Sequence, residues 1–137
     1  MLRQVVADAS AIVEYLLGTD RARSIEVIVE DPDVDVHGPF LCDVEVASAL
    51  RRALRDGRMQ TRRVGEALED YLDLPLIRHG HTDLLARALD LRENFTSYDA
   101  MYVVLAERLN AALLTGDAAL DRATRRHSRI EILPSPE

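Results

Sequence analysis

The sequence predicts a helix-rich α/β fold, a three-layer α/β/α sandwich around a short, mostly parallel central sheet. Two observations carry this. Short apolar runs at residues 3–7 and 111–114 are each followed closely by an Asp, and such unalternating runs suit strands buried on both faces. Between the apolar runs, hydrophobic residues recur at helical spacing, and parallel strands need crossovers of that kind. With 137 residues the chain has the length of one domain, expected to span 1–137.

Taken in order, Arg3 to Ala7 is the first strand and Ala9 to Leu17 a helix, with Ser10 as its N-cap and Gly18 as its stop. Thr19 caps a second helix carrying Ala22, Ile25, Ile28 and Val29. Residues 31–39 mix turn formers with the alternating pair Val34 and Val36, a loop holding a short strand. Phe40 to Arg55 has a helical apolar stripe ended by Gly57, and Thr61 to Leu72 is another helix. Leu74 to Ile77 is a brief strand, and Thr82 to Leu91 is helical. Ser97 caps a strong helix through Leu109, with Asn110 as its C-cap. Residues 111–114 form a strand, Ala118 to Arg126 a helix, and Ile130 to Leu133 a final edge strand stopped by Pro134.

Composition narrows the function. Hydrophobic residues at 47% and charged residues at 30% argue against disorder. No apolar run spans a bilayer, and Asp8 interrupts the N-terminal run, so neither a membrane protein nor a secretory leader is expected. One cysteine, Cys42, excludes a disulfide framework and a multi-cysteine zinc site. A reducing, cytoplasmic location fits best. Aromatics are 4% with no Trp, a poor platform for stacking single-stranded bases. The net charge is −7, from 24 acids and 17 bases that are all Arg. That excludes a generic nucleic-acid coat but leaves open a local basic patch, or acids kept for a metal ion.

The acids fall in a pattern. Ligands of an open parallel sheet bind outside the carboxyl ends of its strands, where Asp8 and Asp117 both stand; capping of the following helices is the structural alternative. Glu45 lies between Val44 and Val46, with small Ser48 and Ala49 on its helix face and Arg52 as a surface partner. Asp99, in the first turn of its helix, neighbours Tyr102, Val103 and Ala106, a partly buried face. A buried carboxylate without a partner is costly, and clustered acids raise one another's pKa unless a cation offsets them. A hard divalent ion, Mg²⁺ or Mn²⁺, is the natural remedy, and it leaves coordination positions for phosphate oxygens.

The stretches VVADASAIVEYLL, DVEVASALRRAL, FTSYDAMYVVLAERL and LLTGDAAL resemble the four sequence blocks of PIN-domain ribonucleases, in an order most similar to the VapC toxins of VapBC toxin–antitoxin modules. The resemblance covers Val5 to about Ala123. It implies a PIN-like fold and a metal-dependent endoribonuclease acting as a toxin, with Asp8, Glu45, Asp99 and Asp117 as its catalytic, Mg²⁺- or Mn²⁺-holding quartet. It also implies supporting roles for Ser10 and Thr115, a homodimer, and silencing by a cognate VapB-like antitoxin; Asp121, one helical turn after Asp117, is left outside the core set.

Arg51, Arg52, Arg55, Arg58, Arg62 and Arg63 form a basic run after Glu45. A solvated helix face is the plain explanation; the functional one is that Arg51, Arg52, Arg55 and Arg58 track an RNA backbone into the acidic site. Arg122, Arg125, Arg126 and Arg129 form a second run. His37, His79, His81 and His127 lack metal-ligand spacing and are expected in surface loops. Tyr98 and Tyr102 are expected to pack their helix, and Cys42 to be an unreactive thiol. The alternative function is a non-catalytic binding module, either receiver-like or a degenerate PIN scaffold. A receiver domain wants a nearby Lys, which this chain lacks, and a degenerate scaffold would not keep all four acids.

Overall fold

A computed structural model describes residues 2–134. Five strands run β1 (Arg3–Ala7), β2 (Val34–Pro39), β3 (Ile77–His79), β4 (Ala112–Leu114) and β5 (Ile132–Leu133). Seven α-helices connect them: α1 (Ala9–Leu17), α2 (Ala22–Val29), α3 (Leu41–Arg55), α4 (Thr61–Asp73), α5 (Leu85–Asp90), α6 (Ser97–Leu109) and α7 (Ala118–His127). The sheet order is β3-β2-β1-β4-β5 and every pairing is parallel, so the expected α/β sandwich is present and its sheet is wholly parallel.

This order fixes where a ligand can sit. The chain winds outward from β1 through β2 to β3, then crosses back to pair β4 against the other side of β1. The loops leaving β1 and β4 therefore diverge, and the crevice above their carboxyl ends is the switch point where open α/β sheets bind ligands. Val5 pairs with Ala112 and Ala7 with Leu114, so the two strands end at one level. Asp8 N–H donates to the Leu114 carbonyl at 3.0 Å, closing the seam between them.

The core forms around β1 and α6. Val5, Val6 and Ala7 are fully buried, as strands covered on both faces require. Ala100 to Ala106 are all buried, so α6 is enclosed nearly all round rather than amphipathic. It lies on β1, β2 and β4, while α1, α3 and α4 pack against one another. Gly18 ends α1 in the left-handed region at φ 64°, and Asn110 ends α6 there at φ 51°, conformations that Gly and Asn tolerate best.

Several local expectations shift. Asp8, not Ser10, caps α1, because the cap must be the extended residue at which the strand stops. Thr96, not Ser97, caps α6 by accepting from the Asp99 N–H. Thr19 serves α2 through its backbone carbonyl, which accepts from the Ala22 N–H. The third strand occupies 77–79 rather than 74–77: Pro75 has no N–H for the ladder. The helix expected from Thr82 opens with a 3₁₀ turn over Thr82–Leu84 before α5. No helix among the described residues is long and apolar enough to cross a membrane.

Candidate functional site

The four predicted acids arrive at one pocket of about 520 Å³, together with Ser10, Glu14, Arg52, Arg58, Tyr102 and Gly116. Asp8 comes from the end of β1, Glu45 from the second turn of α3, Asp99 from the first turn of α6 and Asp117 from the start of α7. Capping and site roles coincide: Asp8 caps α1 and Asp117 caps α7. A helix N-terminus favours a carboxylate, so the local physics that places these two acids also serves the pocket.

Asp8 is the most tightly held. It is 4% exposed. Its Oδ1 accepts from the Ser10 hydroxyl at 2.7 Å and the Ala11 N–H at 2.9 Å, and its Oδ2 from the Thr115 hydroxyl at 2.5 Å. Both hydroxyls are themselves oriented by the loop that follows β4. Ser10 Oγ accepts from the Gly116 N–H and Thr115 Oγ1 from the Asp117 N–H, both at 3.0 Å. Thr115 is supported from below, since its N–H donates to the Leu133 carbonyl.

The electrostatics are those of uncompensated negative charge. Burial pushes the Asp8 carboxyl up to about 6, with Asp117 adding repulsion against the lowering effect of its hydrogen bonds. Asp99 is raised too, first by burial and then by Asp117 and Glu45. Asp117 is exposed, its Oδ1 accepting from the Ala119 and Leu120 N–H groups. Glu45 accepts from the Tyr102 hydroxyl at 2.5 Å rather than pairing with Arg52.

Two contributors lie outside the predicted set. Glu14 lines the pocket, and its Oε2 is the one buried side-chain polar atom without a partner among the described residues. It rests against Gly116, where a Cβ would run into the carboxylate. A lone charge inside the apolar run AIVEYLL was the available signal. Tyr102 was expected to pack its helix, and it does, but its hydroxyl reaches the site. Conversely, Asp121 pairs with Arg125 and does not line the pocket.

The donor chemistry fits a hard divalent cation. Every carboxylate presents oxygen, a buried one lacks a cationic partner, and an orphan carboxylate oxygen lies beside them. These side chains stand around the pocket rather than gathered at one point: among the described residues, no three converge in a metal-binding group.

Of the basic run, Arg52 and Arg58 line the pocket; Arg51 and Arg55 do not. Arg52 makes no ion pair among the described residues, and Arg58 stands 3.6 Å from exposed Asp56. Arg62 pairs with Glu66 at 3.3 Å, and Arg63 donates to the Leu16 carbonyl at 2.6 Å. The expectation of surface histidines fails at His37, which is buried on β2. Its Nδ1 lies 2.8 Å from His79 Nε2 and its Nε2 contacts Gln4 Oε1. Cys42 is fully buried with its thiol pushed up to about 11 by burial, an inert position.

Comparison with known proteins gives one answer. The sequence profile of the PIN domain matches residues 5–126. Ribonuclease VapC3 of Mycobacterium tuberculosis is 41% identical over 121 residues, 88% of this chain and 87% of that protein. Among solved structures, M. tuberculosis VapC20, described as a sarcin-ricin loop cleaving toxin, aligns with a TM-score of 0.67 at 15% identity over 87% of this chain and 94% of its own. VapBC2 of Rickettsia felis, solved bound to a DNA fragment from its promoter, aligns at 0.65 and 11% identity, covering 94% and 96%. These two structures speak to the fold.

Proposed function

This chain belongs to the PIN-domain family, among the VapC ribonucleases, and from that premise we propose that it hydrolyses RNA phosphodiester bonds in the pocket above β1 and β4. One observation carries the reading. Four acids from four separate elements line the same pocket at the topological switch point, and two arginines share its wall.

Asp8, Glu45, Asp99 and Asp117 are the residues that would hold Mg²⁺ or Mn²⁺. Such an ion, when bound, supplies a lowered water pKa and charge stabilisation at the phosphoryl oxygens. The chain's own contribution is positional. Ser10 and Thr115 lock the Asp8 carboxylate in one orientation, each hydroxyl donating to one oxygen. Supporting shells of this kind determine how well a ligand set performs. Arg52 and Arg58 supply the positive charge that draws a phosphate toward an otherwise repulsive acidic pocket.

The chain acts, on this reading, as the toxin of a toxin–antitoxin pair and forms a homodimer. Its partner is a VapB-like antitoxin whose basic segment covers the pocket, since a rim of uncompensated acids favours Arg or Lys. The test is incubation of end-labelled RNA with the purified protein, with Mn²⁺ or Mg²⁺ supplied and then withdrawn by a chelator. Cleavage that persists without divalent ions, or none with them, contradicts the reading.

A further inference from the structure

We propose that Tyr102 is the positioning residue that fixes the Glu45 carboxylate in the pocket, a role resting on the nuclease reading above. Among the four acids, Glu45 has the longest side chain and the least local restraint. Asp8 and Asp117 are tied to backbone N–H groups as helix caps, and Asp99 sits in the first turn of α6 beside Thr96. Glu45 leaves the second turn of α3, where the residues three and four positions on are small Ser48 and Ala49, so packing on its own helix does not select a rotamer. A free Glu side chain samples many rotamers, and ordering one costs entropy.

The restraint comes from another helix. Tyr102 Oη donates to Glu45 Oε1 at 2.5 Å, across 57 residues of sequence. Tyr102 is itself closely packed, 2% exposed in the enclosed middle of α6. Its hydroxyl lies against the Cys42 thiol on the first turn of α3, so both ends of the contact are set by the same pair of helices. Tyr102 also follows Asp99 by one helical turn. One rigid helix therefore carries Asp99 directly and places Glu45 through a hydrogen bond, which sets the spacing of the two carboxylates.

The test is Tyr102→Phe, which keeps the ring and removes only the hydroxyl. Single-turnover RNA hydrolysis with Mn²⁺ should lose roughly ten- to hundredfold in kcat, the scale of a misplaced reacting group, with KM nearly unchanged. The same change made on Glu45→Gln should cost nothing further, because residues acting as a unit are non-additive. In parallel, the Glu45 side-chain conformation is followed in the metal-free proteins by three-bond NMR couplings. One rotamer is expected in wild type and averaging in Tyr102→Phe. A Glu45 that keeps its rotamer without the hydroxyl, or a kcat that does not fall, overturns the proposal. Wild-type protein that cleaves no RNA overturns the nuclease reading instead, and the NMR comparison still decides whether Tyr102 fixes Glu45.

Discussion

Thr115 donates its hydroxyl proton to Oδ2 of Asp8 at 2.5 Å, joining the ends of β1 and β4 across 107 residues of sequence. The same hydroxyl oxygen accepts the Asp117 N–H, so one side chain orients an acid from each strand end.

Thr115→Val preserves shape and removes both bonds. Because the partner is a buried carboxylate, the expected loss is about 1–3 kcal/mol of unfolding free energy in urea. RNA hydrolysis should fall with it. A variant as stable as wild type would mean that the hydroxyl does not hold Asp8.

Asp8 gives a pH signature. Its folded pKa, about 6, lies above its ordinary value of 3.8. The folded state therefore binds the proton more readily, and the ionised group costs stability as pH rises through 6. At about 1.4 kcal/mol per pKa unit, ionised Asp8 destabilises the metal-free protein by about 3 kcal/mol at neutral pH. Asp8→Asn should then gain on wild type between pH 4 and pH 7, measured by metal-free thermal melts. The order should reverse with millimolar Mn²⁺, which stabilises wild type and leaves the variant unmoved. An identical Mn²⁺ response in both proteins counts against Asp8 as a ligand.

His37 works in the opposite direction. Burial, and then His79, holds its pKa below 6.5. The unfolded chain takes a proton as pH falls below 6.5 while the folded chain does not, so stability is lost on acidification through that window. His37→Gln should flatten this loss in denaturant titrations between pH 7 and pH 5. Equal acid sensitivity in variant and wild type would remove His37 from the account.

The arginines divide by position. Arg52 and Arg58 line the pocket, whereas Arg51 and Arg55 lie outside it. Replacing Arg52 and Arg58 by Ala should weaken binding of single-stranded RNA and reduce the slope of log K against log salt by about 1.4. Replacing Arg51 and Arg55 should change both less. Equal effects from the two pairs would mark the run as a diffuse field rather than a contact surface.

What the sequence reveals about this molecule is local. The runs RQVVA and AALL show two buried strands, and the acids that follow them lie where a parallel sheet places its ligands. That Asp8, Glu45, Asp99 and Asp117 line one pocket was legible because each acid departs from its surroundings, at a strand end or on an apolar helix face. Properties that depend on a distant partner were not. His37 reads as a loop residue until β3 brings His79 beside it. Tyr102 reads as packing until α3 presents Glu45. The orphan oxygen of Glu14 depends on the close approach of Gly116 from a loop about a hundred residues away. The third strand was displaced because its apolar residues, Leu74 and Leu76, pack ahead of the ladder that begins at Ile77.

The central claim is that the four acids act together as one RNA-hydrolysing centre, and one measurement addresses it directly. Wild type, Asp8→Asn, Glu45→Gln, Asp99→Asn and Asp117→Asn are each incubated with the same end-labelled RNA in Mn²⁺, after circular dichroism has shown each to be folded. Strand cleavage by wild type alone, with every variant reduced at least about a hundredfold, is the predicted result. Cleavage at the wild-type rate by any two of the four folded variants would contradict a shared centre.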